Sequence, residues 1–311
     1  SSLLAQAARA PNRWLPKYLS EAHLPWCCEV CWQLDNCDSR AQELLNGPYS
    51  MAASAGCSKE SRQRLAIVTG ANKGIGYHIA KQLAEAGLHV IVACRNEALG
   101  RRAADALAAE FELLDLASGT SIAAFVQSIK AKFGYLDVLV NNAATHFKGN
   151  DPTPFERRTE PILRVNFHGT VALTDQLLPL LRMSSRQPCV VNVASALGGL
   201  SQLGPKRQLE FTSPALDRVR LAQLVQKFAQ DVEAGIHLQQ GWGDSNYGFS
   251  KLALIAYTMI VAREEGDTMR VNACCPGYCK TDMSSNRGGQ PPEVGARTPT
   301  MLALLLENGP T

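Results

Sequence analysis

Several things this sequence lacks narrow its class before any motif is read. No run of about 18 apolar residues occurs among the 311, which excludes a membrane-spanning helix. Neither sign of charge is in surplus. Lys and Arg number 31 against 28 Asp and Glu, and a formal net charge of +3 is too small to argue for nucleic acid or an anionic membrane surface as a partner. The chain has ten cysteines but no metal spacing: Cys28 and Cys31 form a CxxC that no second pair or histidine follows. Cys94, Cys189, Cys274 and Cys275 stand in apolar, strand-like runs, where cysteine serves as a small buried hydrophobe. A chain of this length buries enough apolar surface to fold without disulfides or metal. The thiols fit a reducing, intracellular compartment, expected to be cytoplasmic.

Residues 1–60 differ in texture from the rest. They sustain no hydrophobic period, and Pro11, Pro16, Pro25 and Pro48 interrupt any helix. Arg9, Arg13 and Lys17 without an acid faintly suggest an organelle transit peptide, a reading weakened by Glu21, Glu29 and Asp35 further on. Met51 followed by Ala-Ala-Ser-Ala-Gly reads like a natural start. Residues 1–60 are therefore expected to be a poorly structured extension: a targeting remnant, an upstream translated segment or a linker. Organelle import through residues 1–50 stays open.

From residue 64 onward, strands and helices alternate. Apolar strand-like runs at 65–69, 89–94, 111–114, 138–140, 190–193 and 271–275 are separated by helical patterns, among them 122–133, 163–181 and a helix from about 250. Strands alternating with helices of this length imply right-handed βαβ crossovers and a parallel sheet. The expected fold is α/β, a Rossmann-type doubly wound sheet in one domain over residues 61–311, binding its ligand at the carboxyl ends of the strands. Two irregularities stand out. Almost no loop separates the second helix from the third strand, and the chain closes on a helical stretch at 301–306 where a last strand is apparently missing.

Thr69-Gly-Ala-Asn-Lys-Gly-Ile-Gly76 follows the first strand and opens a helix. Gly70, Gly74 and Gly76 let backbone approach a pyrophosphate, and the helix amino end supplies N–H groups to the anion. At the end of the second strand, where an NAD-selective site places an acid, stands Cys94-Arg95-Asn96. Arg95, with Lys73 in the glycine loop, could pair with a 2′-phosphate, which favours NADP(H). Tyr247 and Lys251 are four apart and share a helix face. An ammonium beside a phenol favours the phenolate and is expected to draw its pKa down from about 10 toward the working pH.

Together the glycine loop, Asn141-Asn-Ala143, Ser195 after a strand, Tyr247/Lys251 and Pro276-Gly277 resemble the short-chain dehydrogenase/reductase family over residues 64–311. Asp151-Pro-Thr-Pro-Phe155, Asn272-Ala-Cys-Cys-Pro-Gly277 and Lys280-Thr-Asp-Met283 look like its monomeric, NADPH-dependent carbonyl reductase branch. The resemblance implies that Tyr247 donates a proton to a carbonyl oxygen, Lys251 tunes it and holds the nicotinamide ribose, Ser195 polarises the carbonyl, and Asn166 holds a water for a proton relay. It also implies cofactor contacts from the loop residues Asn72, Lys73 and Ile75, from Asp115 and Leu116 beside the adenine, from Asn142, and from Pro276, Gly277, Cys279, Lys280 and Thr281 over the nicotinamide.

Many family members place Ser and Tyr much closer together than Ser195 and Tyr247. The insert here carries an amphipathic helix, with Leu221, Val225, Phe228 and Val232 on one stripe, stopped by Gly235. In the carbonyl reductase branch a similar insert covers the assembly face, so the resemblance implies a monomer. This sequence departs from the family pattern at Ala144, where the family has glycine. Trp242, Tyr278 and Met283 are expected near the cleft and suit apolar or aromatic substrates. The reading is an NADPH-dependent reductase of aldehydes and ketones, with no metal. A selective NADP-dependent alcohol or terpenoid dehydrogenase is the alternative within the class, and a non-catalytic nucleotide sensor the alternative outside it.

Overall fold

The computed structural model describes residues 62–149 and 151–305. The N-terminal extension therefore lies outside the described residues. Strand β1 (Leu65–Thr69) is buried along its whole length, as befits an unbroken apolar run in a sheet covered on both faces. With β2 (His89–Cys94), β3 (Glu110–Leu113), β4 (Val138–Asn141), β5 (Cys189–Val193) and β6 (Arg270–Cys274) it forms one parallel sheet in the order 3-2-1-4-5-6. The chain reverses direction of winding between β1 and β4, which opens a crevice at their carboxyl ends.

Helices cover both faces. On one lie α1 (Gly74–Glu85), α2 (Glu97–Leu107), α9 (Pro292–Gly295) and α10 (Arg297–Leu304), with Ile79, Leu83, Ala103 and Ala303 packed on the sheet. The other holds the larger core, from α3 (Gly119–Lys132), α5 (Thr170–Leu181), α7 (Arg218–Glu233) and α8 (Asn246–Glu265). Local chemistry sets the helix starts. Asn96, Ser118, Asp217 and Ser245 each accept a backbone N–H from the first turn. The tight link from α2 to β3 is made by Ala108 in the left-handed region (φ +49°), whose N–H returns to Ala104 O. The helical pattern read over 163–181 begins earlier, at α4 (Phe155–Leu163), and runs through a π-helical stretch (Arg164–Gly169) into α5.

The insert folds as α6 (Pro205–Thr212) and α7, which pack onto α8. Leu221, Val225, Phe228 and Val232 are all buried, as their spacing predicts, and Gly235 (φ +70°) ends the segment. Phe228 stacks on Phe249 of α8 at 3.8 Å between centroids, and Trp242 meets both rings edge-on. Trp242 is thus a core residue, its Nε1 donating to the buried Asp231 at 2.8 Å, and not a cleft residue as its sequence position suggested. The indole satisfies its one polar atom inside the insert and gains most by burying the rest. Phe228→Ala should cost about 3–5 kcal/mol of stability by removing the ring that joins insert to helix. Urea denaturation followed by circular dichroism measures it, and a loss under about 1 kcal/mol would mean that the insert is not coupled to the core.

Candidate active site

Every residue singled out for chemistry stands at the carboxyl edge of the sheet or on the helices that follow. The glycine loop turns from β1 into α1 with Gly70 at φ +67° and Gly74 at φ +58°. Gly76 has a different reason. A Cβ there would collide with Asn142 Nδ2 and lie 2.6 Å from Gly70 O. Asn142 in turn donates from Nδ2 to Thr69 O (2.9 Å), and the Asn142 and Ala143 N–H groups both donate to Thr69 Oγ1 (3.0 Å). The loop, the end of β1 and the end of β4 are therefore one unit. Ala144 keeps a negative φ, so replacing the family's glycine there imposes no backbone strain.

This cradle fits a dinucleotide. Its glycines leave backbone bare at the start of a twelve-residue helix, whose free N–H groups and positive end face the crevice. Arg95 is exposed at the end of β2, where no acid stands, and makes no ion pair among the described residues. Lys73 is also exposed, but its Nζ lies 2.6 Å from Asp282 Oδ2. Asp115 accepts the Ala117 N–H, and Leu116 packs on Gly169, where a Cβ would strike the Leu116 carbonyl. Thr281 lies over Gly74 as the nearest side chain. The Pro276–Gly277 turn (Gly277 φ +75°) is held by Gln290, whose Nε2 donates to Pro276 O at 2.8 Å. Cys279 is buried against that carbonyl, while Lys280 points outward. Asn72 and Ile75 are half-buried in the loop, Ile75 lining the cleft.

The reacting groups converge beside this cradle. Tyr247 sits in the first turn of α8 and Lys251 one turn on, its Nζ donating to Val193 O at 2.7 Å and lying 5.7 Å from the phenol ring. Ser195, just beyond β5, accepts the Leu197 N–H on its Oγ and lines the same cleft as Tyr247. Asn166 lies in the π-helical stretch, an irregularity that often marks functional positions. Three of the four hydrogen-bonding positions of its amide are taken: Oδ1 accepts from Thr145 N (2.7 Å) and Nδ2 donates to Thr145 O and Ser250 Oγ (3.0 Å each).

Burial dominates the electrostatics. The Tyr247 phenol is pushed up to about 12, chiefly by loss of water, with the adjacent Cys275 adding to the rise and Ser195 opposing it. Lys251 is pushed down to about 8 by the same desolvation. This reverses the expectation that the lysine draws the phenol down: both neutral forms are favoured, because neither group has bulk water to solvate its charge. At neutral pH the site holds a protonated phenol next to an ammonium on the verge of release.

A family model described as short chain dehydrogenase matches residues 64–204 and 232–291. This chain is a short-chain dehydrogenase. The gap in that match, 205–231, spans α6 and most of α7, so the insert is an addition to the family frame. Carbonyl reductase [NADPH] 1 of Sus scrofa is 40% identical over 259 residues, covering 79% of this chain and 88% of that protein. Carbonyl reductase [NADPH] 3 of Mus musculus is 41% identical, covering 79% and 92%. Among solved structures, salutaridine reductase from Papaver somniferum superposes with a TM-score of 0.73 at 29% identity, over 80% of this chain and 98% of that one.

In this short-chain dehydrogenase the sequence pattern missed several cleft residues. His146 stands edge-on to Tyr247 at 5.0 Å between rings. Cys275, read as a strand hydrophobe, lies just past β6, half-buried, with its Sγ accepting from Ala196 N (3.2 Å) and Gly277 N (3.4 Å). Lys148, Ser284 and Arg287 also line the cleft, together with the expected Tyr278 and Met283. His146, Lys148, Ser284 and Arg287 carry no motif of their own; the β4–α4 stretch brings in the first two, and the segment between β6 and α9 brings in the others.

Folding depresses the Lys251 pKa from 10.5 to about 8, so between those values the unfolded chain binds more protons than the folded one. Stability attributable to this residue therefore rises as pH rises above 8. Urea midpoints of wild type and Lys251→Met at pH 8, 9 and 10 should diverge in favour of wild type by up to about 1.4 kcal/mol per pH unit. Parallel curves would show that Lys251 has an ordinary pKa.

Proposed function

We propose that the protein is an NADPH-dependent reductase of aldehyde and ketone carbonyls. The observation that carries this reading is the protonated Tyr247 phenol, set with Ser195 in one cleft beside a glycine cradle whose β2 end bears Arg95 and no acid. The carbonyl reductases named above, at about 40% identity, are NADPH enzymes by name and support the same cofactor here. Gly70, Asn72, Gly74, Ile75 and Gly76 would hold the pyrophosphate, Arg95 and Lys73 the 2′-phosphate, and Asp115 and Leu116 the adenine, with Asn142 near the cofactor at the end of β4. Pro276, Gly277, Cys279, Lys280 and Thr281 would hold the nicotinamide end. When bound, the reduced nicotinamide supplies a hydride to the carbonyl carbon.

The chain's own groups manage the oxygen. Ser195 and Tyr247 both direct hydroxyls at it and align the carbonyl. As negative charge develops there, the Tyr247 proton transfers to the oxygen and leaves a phenolate, which the Lys251 ammonium stabilises across the one helical turn between them. A phenol pushed up to about 12 is a competent donor only if the charge it acquires is compensated in this way. Asn166 braces Thr145 and Ser250 beneath the site and would carry the relay that reprotonates the lysine. The reading includes a catalytic unit over residues 61–311 preceded by an extension, and a monomer in which the insert covers the face used for assembly by relatives. The free thiols of Cys94, Cys189, Cys274, Cys275 and Cys279 support the cytoplasm as its compartment.

NADPH oxidation at 340 nm with aromatic aldehydes, quinones and diketones tests the reaction. Tyr247→Phe should lower kcat/KM by about 10²–10⁴ and leave NADPH binding intact. Loss of binding instead of turnover would remove Tyr247 from the proton-donor role. Arg95→Gln should weaken NADPH by about 10- to 100-fold, the loss of one charge-assisted contact, and leave NADH unchanged. Equal weakening of both would place the 2′-phosphate elsewhere.

A further inference from the structure

The insert carries a concavity of its own, which shares no lining residue with the cleft over Tyr247. It has a volume of about 390 Å³ and lies between the start of α6, the outer face of α7 and the turn that follows α7. Lys206 and Arg207 line it from α6, Arg220 and Lys227 from α7, and no carboxylate lines it among the described residues. The acids paired with these cations stand behind them. Glu210 accepts from Arg207 (2.7 Å) and Arg220 (2.8 Å), and the buried Asp231 accepts from Lys227 (2.8 Å) with Arg207 at 3.8 Å. Lys206 makes no ion pair among the described residues. Four cations thus share two carboxylates, which leaves the groove with an excess of two positive charges.

One of the four is fixed and the others are free to move. Arg207 is buried, its guanidinium stacked 3.9 Å from the centroid of the Trp242 ring and its Nε donating to Gln240 O at 3.0 Å. Lys206, Arg220 and Lys227 are exposed, on long stems that reach over the groove. Lys206 and Arg207 also stand in the first turn of α6, whose positive end adds to the potential there. Charge alone suits any anion, but the rest of the lining is more selective. The side-chain amides of Gln226, Gln230 and Gln240 face the groove and make no hydrogen bond among the described residues. Each offers two donors and an acceptor, the complement of a hydroxyl. A phosphate monoester carries close to two negative charges at neutral pH, which matches the excess. The volume falls in the range of small-molecule sites, about 300–1,000 Å³, and leaves room for a body beside the phosphate.

We propose that the insert groove is a second ligand site, which takes a small phosphorylated polyol: the four cations receive the phosphate monoester and the glutamine amides the hydroxyls. Isothermal titration calorimetry on the full chain tests it, with NADPH at saturation so that the phosphate positions of the glycine cradle are filled. The probes are glucose 6-phosphate, ribose 5-phosphate and glycerol 3-phosphate, beside inorganic phosphate and the matching sulfate esters, which are monoanions of the same shape. The best phosphate ester should bind with a Kd at or below about 1 mM. It should bind about 10-fold more tightly than inorganic phosphate or its own sulfate counterpart. Lys206→Gln/Arg220→Gln removes two exposed cations, and Gln226→Glu adds an acid without removing a bond that the fold uses. Each should weaken the ester about 10-fold and leave NADPH affinity unchanged. Absence of binding by all three esters, equal affinity for ester and inorganic phosphate or sulfate ester, or binding that either variant leaves unchanged overturns the inference. The reductase reading stands apart from every one of these outcomes, because the variants touch neither the cradle nor the cleft.

Discussion

The burial of helix α8 is the constraint on which the rest of the site depends. Its hydrophobic residues run all round the helix, and it packs between the sheet and the insert, with Phe249 stacked against Phe228 on one side. A helix held on all sides carries its polar residues into the interior with it. Lys251 consequently has one fixed partner, the Val193 carbonyl at the end of β5, and loses nearly all its water. Tyr247, a turn earlier, sits where the helix emerges and keeps its hydroxyl within reach of Ser195. The two shifted pKa values are thus results of packing, and the chemistry of the site is written in the apolar residues around it.

A second constraint sits on the other side of the crevice. Asn142 reaches from the end of β4 to the end of β1 and occupies the space in which Gly76 would otherwise carry a side chain. The cradle glycine is thereby bound to a strand-end asparagine almost seventy positions away. Either residue without the other gives a clash or a lost bond between the two central strands. The shape of the glycine loop is thus set by strand pairing.

The doubly wound sheet, the glycine loop and the shared helix face of Tyr247 and Lys251 were legible in the sequence, because each has a period, a spacing or a breaker that acts locally; the grouping of Ser195 with that pair came from the family resemblance. What escaped has no local signal. Trp242 is expected near the cleft from the sequence, but the chain turns through Gly243 to Ser245 before Tyr247 and the indole goes to Asp231. The direction of the Tyr247 and Lys251 shifts escaped too, since spacing gives their proximity and says nothing of their solvent. His146 and Cys275 became site residues only through the meeting of two loops with α8. The π-helical stretch around Asn166 left no mark in a pattern that reads equally well as continuous helix.

These differences sort the site into two layers. The floor is made from buried groups with fixed partners: Lys251 on Val193, Asn166 on Thr145 and Ser250, Asn142 on Thr69. A change there disturbs strands and helices together, so the floor can support one kind of proton chemistry and little else. The roof is a connection between β6 and α9 held mostly by its own backbone and by Gln290 and Ser284, with Tyr278, Met283 and Arg287 turned outward. Substitution there costs the fold almost nothing, since exposed side chains away from special backbone positions change stability by only about 0.5 kcal/mol. Selectivity among carbonyl compounds can therefore drift at the roof while the floor keeps the reaction, and the substrate of this chain has to be read from its own roof residues and not from those of its relatives.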